Sequence, residues 1–399
     1  MPKHISFRYF KNSYEIIQLA VMLYVRFLLS VHPLAAGSVA KILKEVFNKY
    51  MAIKRISFYD VDLKKLDDVI DVRSPSEYEV DHIPGAINLP VLSDKEREMI
   101  GTIYKQNSKF EAKKLGAALI SKNISNHLKE NIRDKNRDWL PLIYCWRGGQ
   151  RSYAFATILD QIGWNVKVVD GGYKSFRKRV SEFLHTKMEN YSLILLTGNT
   201  GTAKTKLLKF IEKRGYQMID LEALANHKGS VFGSLGQRQP SQKFFETSIY
   251  NKLINLKAGE PIFLEAESNK IGNLHIPKEF WKLMKGSPQI ELSAAVELRA
   301  QFLVQEYSEI TTDLKLLEKQ ITKLSTIAGH KVVEIWLKMA KNKDFIQLAK
   351  ELMEKHYDPR YNRSLLRKKK EAFATLEIED MSRKGLNVIV DKILAKTIN

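Results

Sequence analysis

Short apolar runs separated by amphipathic stretches organise the chain from residue 51 to about residue 186. The runs DVIDV (68–72), PLIYC (141–145) and VKVVD (166–170) have the length and the β-branched content of buried strands. Between the first two, SPSEYEVDHIPGA (74–86) begins like a capped helix and ends in a Pro-Gly turn. Strands that alternate with helices predict an α/β domain with a mostly parallel sheet.

A second α/β pattern opens at YSLILLTGNTGTAKTKLLKFIEKRG (191–215), which predicts a strand, a glycine-containing loop and an amphipathic helix. YQMID (216–220) and PIFLEAE (261–267) are further strand candidates. From about residue 291, apolar positions recur at spacings of three and four with charges between them, which predicts helices. The predicted division is therefore an α/β domain over 51–186, a second over 187–290, and a helical region over 291–399.

The first 50 residues do not fit this organisation. Their apolar segment is interrupted by Arg26, His32 and Pro33 before it reaches the about 20 clean residues that a spanning helix needs. It has few acidic residues, so a transit-like or interfacial helix remains an alternative. We favour a third interpretation, in which the working chain starts at Met51 and residues 1–50 are an upstream extension. No membrane contact is expected unless these residues act as an anchor.

Composition adds the charge balance to this picture. Hydrophobic residues at 44% and charged residues at 28% are typical of a soluble globular protein. Sixty-five Lys and Arg against 45 Asp and Glu give a net charge of +20, which favours a polyanionic partner, either nucleic acid or an acidic membrane surface. The single cysteine excludes an internal disulfide framework and a zinc site of several thiolates, and it suits a reducing, cytoplasmic location.

That cysteine, Cys145, follows a predicted buried strand and precedes two glycines and two arginines. Gly148 and Gly149 permit a tight loop into the next helix, whose N–H groups and dipole favour a thiolate. Arg147 and Arg151 add positive charge, so the loop suits a reactive sulfur or a bound oxyanion better than it suits a buried apolar residue. The spacing of five residues between Cys145 and Arg151 also occurs in cysteine phosphatases, although Tyr144 stands where those enzymes usually have histidine.

GNTGTAKT (198–205) nearly matches the phosphate-binding pattern G-x-x-x-x-G-K-[ST]. In such a loop, backbone N–H groups and a helix N-terminus bind phosphates, the lysine adds a charge and the hydroxyl can bind Mg²⁺. Ala203 replaces the last glycine, and we expect it to be tolerated only if its φ is negative and its methyl does not crowd the phosphate. The phosphate-binding candidates here are Gly198, Gly201, Lys204 and Thr205, and the alternative is a plain strand-to-helix turn.

DVRSPSEYEVDHIPGAINLP (71–90), YCWRGGQRS (144–152) and VVDGGYKSFR (168–177) together resemble a rhodanese domain. More specifically, they resemble the rhodanese domain of the bacterial tRNA 2-selenouridine synthase family, whose cysteine loop is one residue longer than in most single-domain rhodaneses. The resemblance continues through the phosphate-binding loop and through the later motifs DLEALANHKGSVFG (220–233), QPSQKFFE (239–246), EAESNKIGNLHIP (265–277) and HYDPRY (356–361). It implies a rhodanese-like α/β domain followed by a P-loop NTPase-like α/β domain with a helical C-terminal appendage.

The resemblance also implies a function, which is the replacement of sulfur by selenium in 2-thiouridine at the tRNA wobble position. Selenophosphate, supplied by selenophosphate synthetase, would be the donor, and an S-geranylated intermediate made from geranyl diphosphate would turn the sulfur into a leaving group. On this interpretation Cys145 receives or relays selenium, for example as a selenopersulfide, and its loop, including Gly148 and Gly149, binds the selenophosphate oxyanion. The P-loop holds a diphosphate, no tightly bound cofactor is expected, and Thr205 is a candidate Mg²⁺ ligand.

Further candidates are less specific, and for the two glutamates and the basic clusters an ordinary solvated surface is an equal alternative. Glu265 and Glu267, at a predicted strand end, could orient Mg²⁺ or water. A polar loop that could close over substrate contains Asn226, His227, Lys228, Ser230 and Gly233. Candidate tRNA contacts are Lys174, Arg177, Lys178, Arg179, Arg360, Arg363, Arg367, Lys368, Lys369 and Lys370, with Tyr357 and Tyr361 as stacking surfaces.

Two other classes of function stay open. The first is a cysteine phosphatase that uses Cys145 and Arg151, fused to a nucleotide-binding domain. The second is a non-catalytic sulfur carrier or RNA-binding module with a relic P-loop, an interpretation that Ala203 favours.

Overall fold

A five-stranded parallel sheet forms the centre of the N-terminal half in the structure, a computed structural model that describes residues 53–227, 238–257, 259–266, 268–362 and 372–397. The strands are ordered β1-β5-β4-β2-β3. They are β1 (Lys54–Ile56), β2 (Asp68–Asp71), β3 (Ile87–Asn88), β4 (Pro141–Tyr144) and β5 (Lys167–Val169).

Five α-helices cover this sheet on both faces. They are α1 (Pro75–Val80), α2 (Asp94–Gln106), α3 (Lys109–Glu130), α4 (Gln150–Ile162) and α5 (Gly172–Thr186), and a short 3₁₀ helix (Leu63–Lys65) precedes β2. Successive strand residues point to opposite faces, so Ile143 packs with α3 and α4, whereas Leu142 and Tyr144 pack with α5.

A second five-stranded parallel sheet carries the C-terminal half, in the order β12-β11-β6-β8-β7. Its strands are β6 (Leu193–Gly198), β7 (Gln217–Ile219), β8 (Ile262–Glu265), β11 (Gln289–Ser293) and β12 (Ala374–Glu377), and a small hairpin pairs β9 (Lys270–Ile271) with β10 (Leu274–His275). Its first helices are α6 (Lys204–Lys213), α7 (Leu221–Leu224), α8 (Gln242–Ile254) and α9 (Lys278–Gly286), and a 3₁₀ turn (Met188–Asn190) precedes β6.

A helical subdomain with its own core, built around Trp336, is inserted between β11 and β12. It consists of α10 (Val296–Glu306), α11 (Ser308–Thr312), α12 (Leu314–Thr322), α13 (Ser325–Ala328), α14 (His330–Lys341), α15 (Phe345–Leu352) and a π-helix (Met353–Tyr357). The chain then returns to the sheet, and α16 (Arg383–Thr397) packs against α6.

The structure therefore differs from the predicted division at 290, which falls inside β11. Strand β12 and helix α16 belong to the second sheet domain, although the pattern predicts a helical region throughout 291–399. The reason is that β12 has only four residues and two of them are exposed, so it lacks the apolar run of a central strand. All six predicted strands, the capped helix at Ser74 and the helical content after β11 are confirmed.

One continuous apolar core joins the two sheet domains. Phe176 and Phe183 of α5 contact Tyr250 of α8, with ring centroids 6.3 and 5.0 Å apart, and Phe280 of α9 belongs to the same core. Helices α5, α8 and α9 thus form a shared layer between the sheets, which fixes the two domains relative to each other. The 50 residues before Met51, with their predicted anchor or extension, lie outside the described residues. Among the helices that are described, none is long and apolar enough to cross a membrane.

Candidate active site: a cysteine loop and a phosphate-binding loop

Cys145 lies at the carboxyl end of β4, in a loop that leads directly into α4. Its Sγ accepts the N–H of Gly149 at 3.3 Å and lies 3.3 Å from Oγ of Ser152, in the first turn of the helix. Burial raises the pKa of the thiol, but the hydrogen bonds from Ser152 and Gly149 and the charge of Arg151 outweigh it, and the net pKa lies below that of an ordinary thiol. The loop therefore stabilises a thiolate.

Backbone contacts with the start of α5 fix the shape of this loop. The N–H of Tyr173 donates to the carbonyl of Cys145 at 2.8 Å, and the N–H of Lys174 donates to the carbonyl of Trp146 at 3.0 Å. Gly172 must be glycine, because its φ is +58° and a Cβ would collide with the Cys145 carbonyl oxygen. Gly148, at φ +64°, is restricted in the same way, since a Cβ would lie 2.5 Å from the carbonyl oxygen of Val169.

The two predicted arginines occupy different environments. Arg147 is exposed at the mouth of the loop, whereas Arg151 donates to Oε2 of Glu77 at 2.8 Å. Glu77 also pairs with Arg97 at 3.1 Å. Burial alone would raise the pKa of Glu77, but the two guanidinium groups hold it below its usual range. Arg151 is thus held by a charged carboxylate beside the loop.

A buried arginine that the sequence pattern did not single out packs against Tyr173, which in turn binds the cysteine loop. Arg73 is fully buried and binds both carboxylate oxygens of Asp71, at 3.0 and 2.6 Å. Its guanidinium stacks 4.0 Å from the ring centroid of Tyr173, whose hydroxyl donates to Asp81 at 2.7 Å. The signal in the sequence is DVR at a strand end, where a charged pair follows an apolar run. Ser152 was also missed, although it follows Arg151 directly.

The phosphate-binding loop connects β6 to α6 as predicted. Lys204 Nζ donates to the carbonyls of Gly198 and Asn199 at 2.9 and 3.4 Å, so its charge lies across the loop. Gly198 has φ +136°, and a Cβ there would collide with the Leu292 carbonyl oxygen. Gly201, at φ +89°, packs against Arg299, since a Cβ would lie 3.0 Å from that residue's Cβ.

The expectation of a negative φ at Ala203 is wrong. Ala203 has φ +55° and ψ +25°, because the loop needs a left-handed residue immediately before α6. This conformation costs an alanine about 1 kcal/mol relative to glycine. The buried methyl, however, packs in the core with Leu207 and Leu208, which offsets part of that cost.

The Thr205 hydroxyl donates to Oε1 of Glu265, at the end of the neighbouring strand β8. Burial raises the pKa of Glu265, although Lys204 and Thr205 both favour its charged form. Asp220, at the end of β7, is close enough to raise this pKa further. A carboxylate and a hydroxyl therefore meet at the carboxyl edge of the sheet, where ligands of open α/β sheets bind. Glu267 lies outside the described residues.

The HYDPRY segment closes the other side of the P-loop. The N–H of Gly198 donates to the Tyr361 hydroxyl at 2.5 Å. Tyr361 is therefore bound inside the site, and Tyr357 lines a cavity, so the structure does not present these rings as RNA-stacking surfaces. Arg360 is exposed and lies 3.2 Å from Nε2 of His356.

An apolar cavity of about 90 Å³ lies directly beside the loop, with Thr200 as its loop-side wall. The other walls come from α10, α11, α12, α15 and the π-helix. They include Leu303, Val304, Leu317, Phe345, Leu348 and Ala349.

Some of the predicted tRNA contacts are exposed in the structure, and others are held in contacts within the protein. Lys174 and Lys178 are exposed, whereas Arg177 binds Glu246 across the domain junction and Arg179 donates to the Phe58 carbonyl at 2.9 Å. The remaining cationic candidates, Arg363, Arg367, Lys368, Lys369 and Lys370, fall outside the described residues.

Only the first part of the predicted substrate loop is described. Asn226 has φ +50° and donates to the Arg238 carbonyl at 3.2 Å, and burial lowers the pKa of His227. Lys228, Ser230 and Gly233 fall outside the described residues.

A cysteine at a helix N-terminus after a parallel strand, joined through a shared core to a P-loop domain, defines a two-domain protein of the rhodanese and P-loop classes. Family models agree with this division. The rhodanese-like domain matches residues 59–179, and the tRNA 2-selenouridine synthase AAA domain matches residues 191–384.

Two relatives extend the comparison. A tRNA 2-selenouridine synthase of Shewanella denitrificans is 33% identical over 280 residues, which cover 69% of this chain and 73% of the relative. One from Nitrosomonas europaea is 34% identical over 243 residues, which cover 60% of this chain and 63% of the relative, less than two thirds of its length. The chain belongs to the tRNA 2-selenouridine synthase family.

Proposed function

We propose that this protein replaces the sulfur of 2-thiouridine at the tRNA wobble position with selenium taken from selenophosphate, through an S-geranylated intermediate. The observation that carries the proposal is the joining of two anion sites of different character. One holds a cysteine with a lowered pKa at a helix N-terminus, and the other combines a P-loop with an apolar cavity. Membership in the synthase family supports the same chemistry.

The P-loop site suits geranyl diphosphate better than a nucleotide. Loop N–H groups and Lys204 would bind the diphosphate. The walls beside Thr200 are aliphatic and aromatic, which matches a hydrocarbon chain and not a ribose. We propose that the hydrocarbon chain of the substrate enters this cavity of about 90 Å³.

The Thr205 hydroxyl and the Glu265 carboxylate fit a magnesium ion, which takes oxygen ligands and is usually bound by one or two carboxylates together with substrate phosphates. When bound, the ion would neutralise charge on the diphosphate.

In the first reaction, the sulfur of 2-thiouridine attacks C1 of geranyl diphosphate. An S–C1 bond forms, the C1–O bond breaks, diphosphate leaves, and the proton on N3 is released. Lys204 and the loop N–H groups stabilise the charge that grows on the departing diphosphate.

In the second reaction, a selenium nucleophile adds to C2 of the uridine, the C2–S bond breaks, and geranyl thiol leaves with a proton. A selenopersulfide on Cys145 would require a two-electron oxidant, which neither co-substrate supplies. We infer instead that the Cys145 thiolate attacks phosphorus. An S–P bond forms, the P–Se bond breaks and hydrogenselenide leaves, and water then hydrolyses the phosphocysteine to phosphate and thiolate. Ser152, at the sulfur, is placed to stabilise the returning thiolate.

This route explains the phosphatase-like spacing from Cys145 to Arg151, because the thiolate attacks phosphorus in both cases. The carrier alternative is less well supported, because a relic P-loop has no need for the contacts that Lys204 and Thr205 make.

The test is nucleoside mass spectrometry on thiolated tRNA incubated with the protein, selenophosphate and geranyl diphosphate. 2-Selenouridine should form with the wild-type protein and disappear with Cys145→Ser. Unchanged 2-thiouridine with folded wild-type protein would overturn the proposal. Hydrolysis of aryl phosphates in its place would favour a phosphatase.

A further inference from the structure

A groove of about 360 Å³ lies at the junction of the two sheet domains, beside the cysteine loop. Its lining includes residues from both domains: Trp146, Tyr173, Lys174, Arg177, Lys178 and Lys243. Trp146 directly follows Cys145 in the chain, so the groove begins where the reactive loop begins. Neither the cysteine chemistry nor the P-loop chemistry uses this groove.

The cations of the groove are of two kinds. Arg177 is bound to Glu246 and lies 3.9 Å from Asp81, so it holds the domains together. Lys178 is partly neutralised by Glu182, at 3.5 Å. Lys174 and Lys243 are exposed and form no ion pair with any residue in the described part of the chain. Two free positive charges therefore lie in the groove, one from each domain.

The aromatic side of the groove is rigid. Trp146 keeps 37% of its surface exposed, and its ring centroid lies 5.2 Å from that of Tyr173. Tyr173 is itself fixed between the Arg73 guanidinium and the hydrogen bond from its hydroxyl to Asp81. Trp146 is thus held in place while part of its ring faces solvent.

An exposed aromatic ring that shares a groove with free cations is a pattern by which proteins bind single-stranded nucleic acid. A base stacks on the ring, and the cations contact the phosphates on either side. Selenophosphate has no surface that would use Trp146, and geranyl diphosphate has its apolar site at the P-loop.

We propose that this groove binds the unpaired substrate nucleotide of the RNA, with its base on Trp146 and its flanking phosphates at Lys174 and Lys243. The inference rests on the proposed function, because it takes RNA as the substrate. It deepens that function by placing the reacting base next to the Cys145 loop, which supplies the selenium. A groove shared by two domains also requires the intact junction, so the Arg177–Glu246 pair positions both walls.

The experiment measures binding of a fluorescent anticodon stem-loop RNA containing 2-thiouridine, by anisotropy over a series of salt concentrations. Trp146→Ala should weaken binding by about tenfold or more, and Trp146→Phe should restore most of the loss. The double variant Lys174→Gln/Lys243→Gln should lower the slope of log K against log salt by about 1.4, or about 0.7 per lost phosphate contact.

The matched control is Lys113→Gln/Lys129→Gln, which removes two exposed lysines from α3, on the opposite face of the same sheet. This variant should bind with a nearly unchanged slope. Thermal unfolding of each variant, compared with wild type, checks that the fold is retained. Equal affinities and slopes for the groove variants, the control and wild type would contradict the proposal that the groove binds RNA.

The outcome separates the groove from the proposed function. If wild-type protein converts the nucleoside but the groove variants bind RNA as tightly as wild type, the proposed RNA-binding role of the groove is wrong and the proposed function is retained. If the groove variants lose RNA affinity but wild type never changes the nucleoside, the RNA-binding role of the groove is supported and the proposed synthase reaction is wrong.

Discussion

The guanidinium of Arg299 binds both carboxylate oxygens of Asp358, at 3.0 and 2.8 Å, and also donates to the carbonyl of Thr200 at 3.1 Å. Arg299 lies on α10, Asp358 follows the π-helix, and Thr200 lies within the P-loop. This buried ion pair therefore connects the helical subdomain to the phosphate-binding site. Tyr361, three residues after Asp358, adds its contact with Gly198.

Breaking this pair should weaken both the fold and the P-loop. Asp358→Asn leaves a buried guanidinium without its counter-charge, which costs about 3–5 kcal/mol. We expect a lower melting temperature and weaker binding of inorganic diphosphate by calorimetry. Lys350→Gln is the matched control, because its ion pair is with the exposed carboxylate of Glu297, and pairs of this kind contribute little to stability. Equal effects of the two substitutions would contradict the role of the pair.

The reactivity of Cys145 should depend on pH in a way that Ser152 controls. Because the thiol pKa is lowered, the rate of alkylation by iodoacetamide should reach its midpoint below the usual value of about 8.5. Ser152→Ala removes the main hydrogen bond that favours the thiolate, so the midpoint should rise. Cys145 is the only cysteine, so mass spectrometry reads its alkylation directly. A midpoint that Ser152→Ala leaves in place would refute this account of the thiolate.

Glu265 should impose a pH dependence on stability. Burial raises the pKa of Glu265 in the folded state. The protonated carboxyl therefore contributes fully to the free energy of unfolding below the unfolded-state pKa of about 4.3, and this contribution is lost as the pH rises through the folded-state pKa. Glu265→Gln should therefore lose less stability than wild type between about pH 4 and neutrality, as measured by chemical denaturation. It should also reduce any Mg²⁺ dependence of diphosphate binding. A Glu265→Gln variant with the wild-type pH profile would contradict this assignment.

The apolar cavity can be tested by filling it. Ala349→Phe adds volume at the cavity wall, so geranyl diphosphate should bind at least tenfold more weakly, while inorganic diphosphate should bind as before. Ile346→Phe is the control, since Ile346 is exposed on the same helix. Equal loss of both ligands in Ala349→Phe would indicate damage to the P-loop, and no loss of either would exclude the cavity as the chain site.

Much of the site could be predicted because its chemistry is local in the sequence. The cysteine loop and the P-loop each connect one strand to the next helix, so glycines, charges and apolar runs within about ten residues specify them. Glu265 was likewise predicted at a strand end from the apolar run before it, and in the structure it accepts a hydrogen bond from Thr205.

The rest depends on residues that are far apart in the chain. Glu77 meets Arg151 only after α1 and α4 fold onto one sheet, and Arg177 meets Glu246 only across two domains. Ala203 illustrates a different limit, because the backbone of the loop demands a left-handed residue and the buried methyl compensates. Neither effect is visible in a pattern of residue types. Strand β12 was missed because it is short and half exposed.

The central claim is that two sites perform two ordered steps, and nucleoside mass spectrometry of paired variants tests it most directly. With thiolated tRNA, geranyl diphosphate and selenophosphate present, Cys145→Ser should accumulate S-geranyl-2-thiouridine without 2-selenouridine. Lys204→Ala should leave 2-thiouridine unchanged, because the first step needs the P-loop. Formation of 2-selenouridine by Lys204→Ala, or its undiminished formation by Cys145→Ser, would contradict the account.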